Sequence, residues 1–466
     1  MQLFDNTICA IATAHGSGAI ATIRLSGNQA FTIADKVFKS ASGRHLSEQK
    51  HSTIHFGDIT DSKGNIIDEV LVSVFKSPKS YTGEDSIEIS CHGSLYIQQQ
   101  ILELLLKNGA EMARPGEFTQ RAFLNGKMDL SQAEAVADLI ASSSRAAHKL
   151  AMHQMRGGFA EELTKLRNEL LRFGSLVELE LDFAEEDVEF ADRAELRQLA
   201  DVIQNHISGL ADSFQLGNAI KNGIPVAIVG ETNVGKSTLL NTFLNEDKAI
   251  VSEIHGTTRD VIEDLANIKG VQFRFIDTAG IRNTEDTIEN LGIERTYRKL
   301  EQARIVLLLI DSRQRLSRIE EMLHQVREKI RHQRLIIVGN KIDAISSEEM
   351  QSIMNDIPLN ENENIVLISA KYKTNIDKLE KLLLETVSLE KIDSNELIVT
   401  NLRHYEILKK SLKAIKRVED GLDSGISGDF LAQDIRECMH YLGEITGQIS
   451  TDDMLGYIFA HFCIGK

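Results

Sequence analysis

The chain has 466 residues, 42% of them hydrophobic, which is enough for real cores and for about three domains. Its 52 Lys and Arg against 69 Asp and Glu leave a net charge of −17, which argues against indiscriminate nucleic-acid binding and leaves room only for a local basic patch. The four cysteines (Cys9, Cys91, Cys438, Cys463) are far apart with no Cys-x-x-Cys pair, so neither a disulfide framework nor a zinc site is indicated.

In chain order, the N-terminus (Met1-Gln-Leu-Phe-Asp-Asn) lacks a basic region leading into an apolar core, and no apolar run approaches membrane-spanning length. A cytoplasmic protein with no membrane partner is expected. Residues 1–125 read as a mixed α/β domain. Strand patterns cover 19–25, 70–75 and 86–90, and helical patterns cover 28–37 and 95–107. Arg24 interrupts an apolar run and Glu88 sits between Ile87 and Ile89. On residue type alone both are outward-facing residues of half-exposed strands. Arg114-Pro-Gly-Glu-Phe-Thr119 is a turn signal that ends the domain's last strand.

From Ser131 the apolar period lengthens from two to about 3.6. Ser131-Gln-Ala-Glu134 fits a capping box, with Ala135, Val136, Leu139 and Ile140 behind it. The helical pattern runs almost to Phe214, with a break at Gly157-Gly158, and forms the first part of a helical domain (126–222). Its acidic stretch from Glu178 to Glu195 reads as a solvated face.

Pro225 marks entry into a third segment, 223–389. The run Val226-Ala-Ile-Val229 leads into Gly230-Glu-Thr-Asn-Val-Gly-Lys-Ser-Thr238, a match to G-x-x-x-x-G-K-[ST] between a strand and a helical pattern. Glycines let successive backbone N–H groups (Asn233, Val234, Gly235, Lys236, Ser237, Thr238) turn onto phosphate oxygens at a helix N-terminus. Lys236 would reach the β/γ-phosphates, and the Ser237 hydroxyl would sit on Mg²⁺. Thr258, in Gly256-Thr-Thr-Arg-Asp260, supplies a second hydroxyl for the metal. It ends a loop in which Ser252, Glu253, Ile254, His255, Gly256 and Thr257 also border the nucleotide.

Asp277 (with Thr278, Ala279 and Gly280) follows the apolar run 273–276 and can hold Mg²⁺ through water, while the Gly280 amide meets the γ-phosphate. Asn340-Lys341-Ile342-Asp343 follows 335–338. Its Asp343 carboxylate can accept both N–H groups on one edge of guanine, a pair that adenine does not offer. Ser369-Ala370-Lys371 follows 365–368 and closes over the base. Five such motifs in this order, each at the end of a β-run, indicate a GTPase.

Helical signals resume at Asn401 in a second helical part, 390–466. Arg403, Lys409, Lys410, Lys413, Lys416 and Arg417 read either as a solvated face or as a contact for a polyanion. The two helical parts should pack together, because an inserted domain needs adjacent ends. The chain ends in the apolar pattern Tyr457-Ile-Phe-Ala-His-Phe462 followed by Cys463-Ile-Gly-Lys466. This is either a docked terminal helix with a buried cysteine or a tail that enters a site.

Taken together, the N-terminal α/β domain, the helical domain split by a GTPase domain, Gly-Thr-Thr-Arg-Asp, Arg-Pro-Gly-Glu-Phe and the terminal Cys-Ile-Gly-Lys resemble the tRNA-modification GTPase MnmE (TrmE) family over essentially the whole chain. The fold class implied is an N-terminal mixed α/β folate-binding and dimerisation domain, then an all-helical domain interrupted by a Ras-like α/β P-loop GTPase domain. The resemblance also implies a homodimer, an FAD-dependent partner (MnmG) in a heterotetramer, and tRNA as substrate. The product would carry an aminomethyl or carboxymethylaminomethyl group on C5 of the wobble uridine, position 34. A 5-formyl- or methylene-tetrahydrofolate would supply one carbon. The family's folate contacts fall on Arg24, Glu88, Lys127 and Lys466, and Cys463 lies beside the last. A carboxylate can accept from pterin donors, and cationic groups suit the folate's glutamate tail.

Two alternatives compete: a ribosome-assembly or other regulatory switch GTPase, and a folate-binding module with a decayed GTPase. The intact motifs count against the second, and the folate residues and tail against the first. The phosphate loop departs from the family, with Glu-Thr-Asn-Val where Arg-Pro-Asn-Ala is common, but it keeps Asn233. Ile281 stands where Ras-like enzymes place the water-orienting glutamine. Charge neutralisation would then come from K⁺ held by Asn233, Ser252, Ile254 and Thr257, a neutral donor set that suits a large monovalent ion. The family analogy places water positioning on Glu289, which with Lys236 forms the catalytic pair, brought in when two GTPase domains meet face to face.

Overall fold

The computed structural model describes residues 5–182, 193–246, 264–276, 300–386, 397–424, 426–449, 452–460, 462 and 465. In chain order its first elements are β1 (Ile8–Ile11), β2 (Ile20–Ser26), α1 (Ala30–Val37), β3 (Phe38–Ser40), β4 (Thr53–Thr60), β5 (Ile66–Phe75), β6 (Ser86–His92), α2 (Leu95–Lys107), β7 (Glu111–Met112) and α3 (Glu117–Leu124). Then come α4 (Leu130–Ala141), α5 (Arg145–Met155), α6 (Gly158–Asp182), α7 (Arg193–Asn222), β8 (Ile224–Val229), α8 (Lys236–Glu246), β9 (Asp264–Ile268), β10 (Val271–Ile276) and β11 (Ile305–Asp311). The last are α9 (Leu316–Arg327), β12 (Arg334–Asn340), α10 (Ser347–Asp356), β13 (Glu363–Leu367), α11 (Ile376–Glu385), α12 (Leu402–Ser424), α13 (Gly428–Thr446) and α14 (Asp452–Ala460). No helix among the described residues is long and apolar enough to cross a membrane. The chain divides into two compact units, one of Met1–Ile140, Met152–Ile203 and Lys413–Lys466, the other of Ala141–Ala151 and Gln204–Leu412.

In the first unit, seven strands form a sheet in the order β3-β4-β5-β6-β2-β1-β7, antiparallel except where β1 meets β7. Alternation fixes which face is covered. Val70, Val72, Val74, Ile87, Ile89, Ile23 and Leu25 point into a core roofed by Ala30, Ile33, Ala34 and Val37 of α1 and Ile101 and Leu105 of α2. The other face is covered only in part. Phe118 of α3 and Tyr81 pack on Ile8 and Ala10, while Ile54 and Phe56 of β4 and Leu71 of β5 stay exposed at 66%, 53% and 48%. Phe56 lies opposite Leu71 in the ladder, so the three form one apolar strip.

The helical part of this unit is built as an insertion requires. Ile435 of α13 packs on Gly174 of α6, and Arg436 pairs with Glu178 at 2.6 Å. Arg197 of α7 pairs with Asp423 of α12 at 2.6 Å. Gly157, at φ +90°, breaks α5 from α6 as its sequence indicates. One expectation is corrected. The box that opens α4 is formed by Asp129 and Gln132, not by Ser131 and Glu134: Gln132 N donates to Asp129 Oδ1 (3.0 Å) and Asp129 N donates to Gln132 Oε1 (2.9 Å). Ser131 is buried and gives its hydroxyl to the same Asp129 oxygen at 2.6 Å, and Glu134 is buried on the helix. The carboxylate accepts from two donors at once, so the helix starts one residue earlier.

In the second unit, six strands run in the order β13-β12-β11-β8-β10-β9, parallel except for β9. Their near-continuous apolar runs reflect burial on both faces. Ala146 of α5 gives its N–H to Gly270 O (3.1 Å) on the β9–β10 turn and joins the same core. A doubly covered parallel sheet of this kind, beside an N-terminal α/β sheet and a helical domain, is the fold class the sequence indicates.

Candidate functional site

The phosphate loop leaves the carboxyl end of β8, where open α/β sheets bind ligands. Gly230, Asn233 and Gly235 all have positive φ (150°, 62° and 102°). Position 235 admits no side chain: a Cβ there would stand 2.2 Å from the Asn340 amide nitrogen. Buried Val234 anchors the loop in the sheet core, and α8 begins at Lys236, so the loop amides face a helix N-terminus. Lys236 Nζ donates to the carbonyls of Gly230 (2.8 Å) and Glu231 (2.6 Å) inside the loop. Burial lowers the pKa of that ammonium, and the Glu231 carboxylate opposes the shift. A lysine cupped by backbone within a left-handed turn fits a polyphosphate.

Neighbouring strand ends hold this loop. Buried Asn340, at the end of β12, gives its amide hydrogen to Val234 O (2.8 Å) and accepts from Ala370 N (2.9 Å), tying the phosphate loop to the Ser369-Ala370-Lys371 loop. Ser369 Oγ donates to Asp343 Oδ1 at 2.6 Å, which orients the carboxylate assigned to guanine. Lys371 lies over the exposed Tyr372 ring, its Nζ 5.0 Å from the centroid. Lys341, itself at φ +69°, donates to Asn233 O (2.6 Å) and to Asp311 (2.8 Å). Asp311 also takes a two-pronged contact from Arg313 at 2.9 and 2.6 Å. Hydrogen bonds from Arg313 and Lys341 hold the Asp311 carboxyl well below the usual carboxylate range.

Asp311 was not singled out in the sequence. Its signal is the one that marks Asn340, a polar residue closing an all-apolar strand. Ser237 and Thr238 sit in the first turn of α8. Ser252, Glu253, Ile254, His255, Gly256, Thr257, Thr258, Asp277, Thr278, Ala279, Gly280 and Glu289 lie outside the described residues, as do Cys463 and Lys466.

A second constellation lies on the N-terminal sheet. Strand register puts Arg24 of β2 directly opposite Glu88 of β6, and they pair at 2.7 Å (Nη2) and 2.9 Å (Nε). They are therefore bound to each other, not merely outward-facing. The guanidinium lies between aromatic faces, 5.4 Å from the Tyr81 centroid and 5.6 Å from that of Phe118. Tyr81 is fixed by a 2.9 Å bond between its hydroxyl and that of Thr119. The C-terminal tail reaches the same spot, where Arg24 Nη1 donates to Gly465 O at 3.4 Å. Lys127 donates to Pro78 O (2.9 Å) and flanks Gly83, on the loop that carries Tyr81. Beneath them fully buried Arg121 bonds Glu117 (2.9 Å), Glu84 (3.3 Å) and Asn6 (2.8 Å), fixing α3 against that loop. Tyr81, Phe118 and Arg121 carried no motif in the sequence. Only packing reveals them.

Comparison with known proteins agrees with this geometry. The model of the GTP-binding protein TrmE N-terminus matches residues 7–127, and that of the MnmE helical domain matches 130–463. The tRNA modification GTPase MnmE of Bacteroides thetaiotaomicron is 60% identical over 99% of this chain and 100% of its own length. The protein of that name from Flavobacterium psychrophilum is 56% identical over 100% of both. Among solved structures, Era of Aquifex aeolicus bound to GDP is 29% identical, with 41% of this chain and 66% of that chain covered and a TM-score of 0.27.

Proposed function

The chain belongs to the tRNA modification GTPase MnmE family, and on that premise we propose that it hydrolyses GTP in the service of tRNA wobble-uridine modification. The observation that carries the GTPase half is the Asn340 clamp, in which one amide joins the phosphate loop to the loop that closes over a base, with Asp343 held beside it. Phosphates would lie on the amides of residues 233–238 with Lys236 between them, and guanine on Asp343. Mg²⁺ on Ser237 and Thr258, and K⁺ on Asn233, Ser252, Ile254 and Thr257, would neutralise charge that develops on the phosphates. Glu289 would hold the attacking water in place of the missing glutamine.

The second half is the folate chemistry. Arg24 and Glu88 would receive a tetrahydrofolate between Tyr81, Phe118 and the tail, with Lys127 and Lys466 on its anionic end. The cleft has an aromatic wall for a flat ring and charges of both signs for its edge, which supports this reading. The strip of Ile54, Phe56 and Leu71 shares the sheet face of Arg24 and Glu88, and a second copy of the chain would cover it. The assembly would be a homodimer acting in the cytoplasm with MnmG on tRNA. Domain boundaries at 125, 222 and 389 follow from the same reading.

Mass spectrometry of wobble uridines in tRNA from cells lacking the protein tests the proposal. Loss of the modification, with the unmodified base in its place, is the expected result. Intact modification would leave the regulatory-switch reading in its stead.

A further inference from the structure

Glu231, the first variable residue of the phosphate loop, is engaged at both ends. Its carbonyl accepts from Lys236 at 2.6 Å. Its carboxylate takes Arg318 on one oxygen (Nε 2.8 Å, Nη2 2.7 Å) and Gln314 Nε2 on the other at 2.6 Å. Both partners come from the segment that follows β11, where Gln314 N is bonded to Asp311 O at 2.9 Å. The same segment reaches the loop a second time through Asp311, which holds Lys341 on Asn233 O. Residues 231 and 233 are thus both tied to one short stretch of chain.

We propose that Glu231, Arg318 and Gln314 form a clasp that positions the phosphate loop for nucleotide, with Arg318 neutralising a carboxylate that would otherwise repel the incoming phosphates. The proposal rests on residues 230–238 being the phosphate site. The Glu231 charge does reach the loop interior, since it favours the charged form of Lys236. Arg318 also pairs with Glu321, so it sits between two carboxylates and its removal frees both. The Arg318 side chain is about half exposed, so the pair is screened and its effect is moderate.

The electrostatics make the clasp asymmetric. Losing Glu231 removes hydrogen bonds and a repulsive charge together, whereas losing Arg318 leaves the charge uncompensated. In the full-length chain, dissociation of fluorescent GTP and GDP analogues is measured by stopped flow. Arg318→Ala should weaken GTP binding by about tenfold and GDP binding by less, Glu231→Ala by about twofold, with Glu231→Gln close to wild type. Adding Glu231→Ala to Arg318→Ala should restore most of the lost affinity. Sodium chloride at fixed potassium should shrink the Arg318→Ala defect. Lys236→Ala is the control. If it binds nucleotide normally, the phosphate-site reading itself fails. If it loses binding while Arg318→Ala matches wild type, or the double variant is simply additive, the clasp is overturned.

Discussion

Gly116 packs directly against the backbone of Phe459: a Cβ at position 116 would stand 2.7 Å from the Phe459 carbonyl oxygen and 2.9 Å from the Cβ of Phe462. The contact joins Arg-Pro-Gly-Glu-Phe to the C-terminal helix, whose Leu455 and Phe459 are buried against Leu130 and Ala133. Gly116 also sits at φ +68° as the N-cap of α3, so both its backbone angle and its bareness are used. Gly116→Ala should therefore cost about 1–3 kcal/mol and loosen the terminal helix. Thermal unfolding and hydrogen exchange across 452–460 measure this. An unchanged exchange pattern would show that the neighbouring helix gives way freely.

The same tail supplies the Gly465 carbonyl to Arg24. Removing residues 463–466 should weaken tetrahydrofolate binding by about tenfold, the scale of one or two charge-assisted bonds at this length. GTP affinity should not change. Calorimetry with both ligands decides, and equal folate affinity in the truncated chain would assign the tail another role.

Asp343 is oriented by Ser369 at 2.6 Å. Asp343→Asn exchanges an acceptor pair for a mixed group, and should lower GTP affinity by about 10²-fold while abolishing tRNA modification with it. Normal modification by a variant that cannot bind GTP would separate the two activities.

Three buried thiols should be inert. Burial pushes the Cys9 thiol up to about 12, Cys91 to about 11 and Cys438 to about 12. Each pKa is raised, so the reactive thiolate is scarce at neutral pH and grows only as pH climbs towards those values. Native labelling with iodoacetamide, read by peptide mass spectrometry from pH 7 to 9, should leave all three largely unmodified. Any rapidly labelled thiol would then be Cys463, and fast labelling of Cys9 would mean that its strand opens readily.

Hydrolysis of GTP should rise strongly in K⁺ over Na⁺, and Asn233→Ala should abolish the difference. Glu289→Ala should slow turnover by about 10²-fold or more with little change in nucleotide affinity. Equal rates in the two salts, or an active Glu289→Ala enzyme, would place water and charge under the control of other groups.

The nucleotide site was legible in the sequence because its parts are local. A phosphate loop builds its own backbone from contiguous glycines and a lysine, and each further motif sits directly after an apolar strand that announces it. Parallel strands then deliver all their carboxyl ends to one edge, so motif order alone assembles Lys236, Asn340, Asp343 and Ser369. The capping box of α4 was misread by two residues because Asp129, Ser131 and Gln132 all have capping chemistry, and only the hydrogen bonds show which carboxylate takes both donors.

Sequence alone thus determined the strands, the phosphate loop and the order of motifs, since backbone angles and strand period are written in neighbouring residues. Tertiary structure decided the rest. That Arg24 faces Glu88 depends on the antiparallel register of β2 and β6, and that it meets Gly465 depends on where the last helix docks. That Glu231 meets Arg318 depends on β8 lying beside β11. Such pairings join side chains far apart in sequence, and no local period encodes them, because strand register and helix docking are settled by burial of apolar faces over the whole domain.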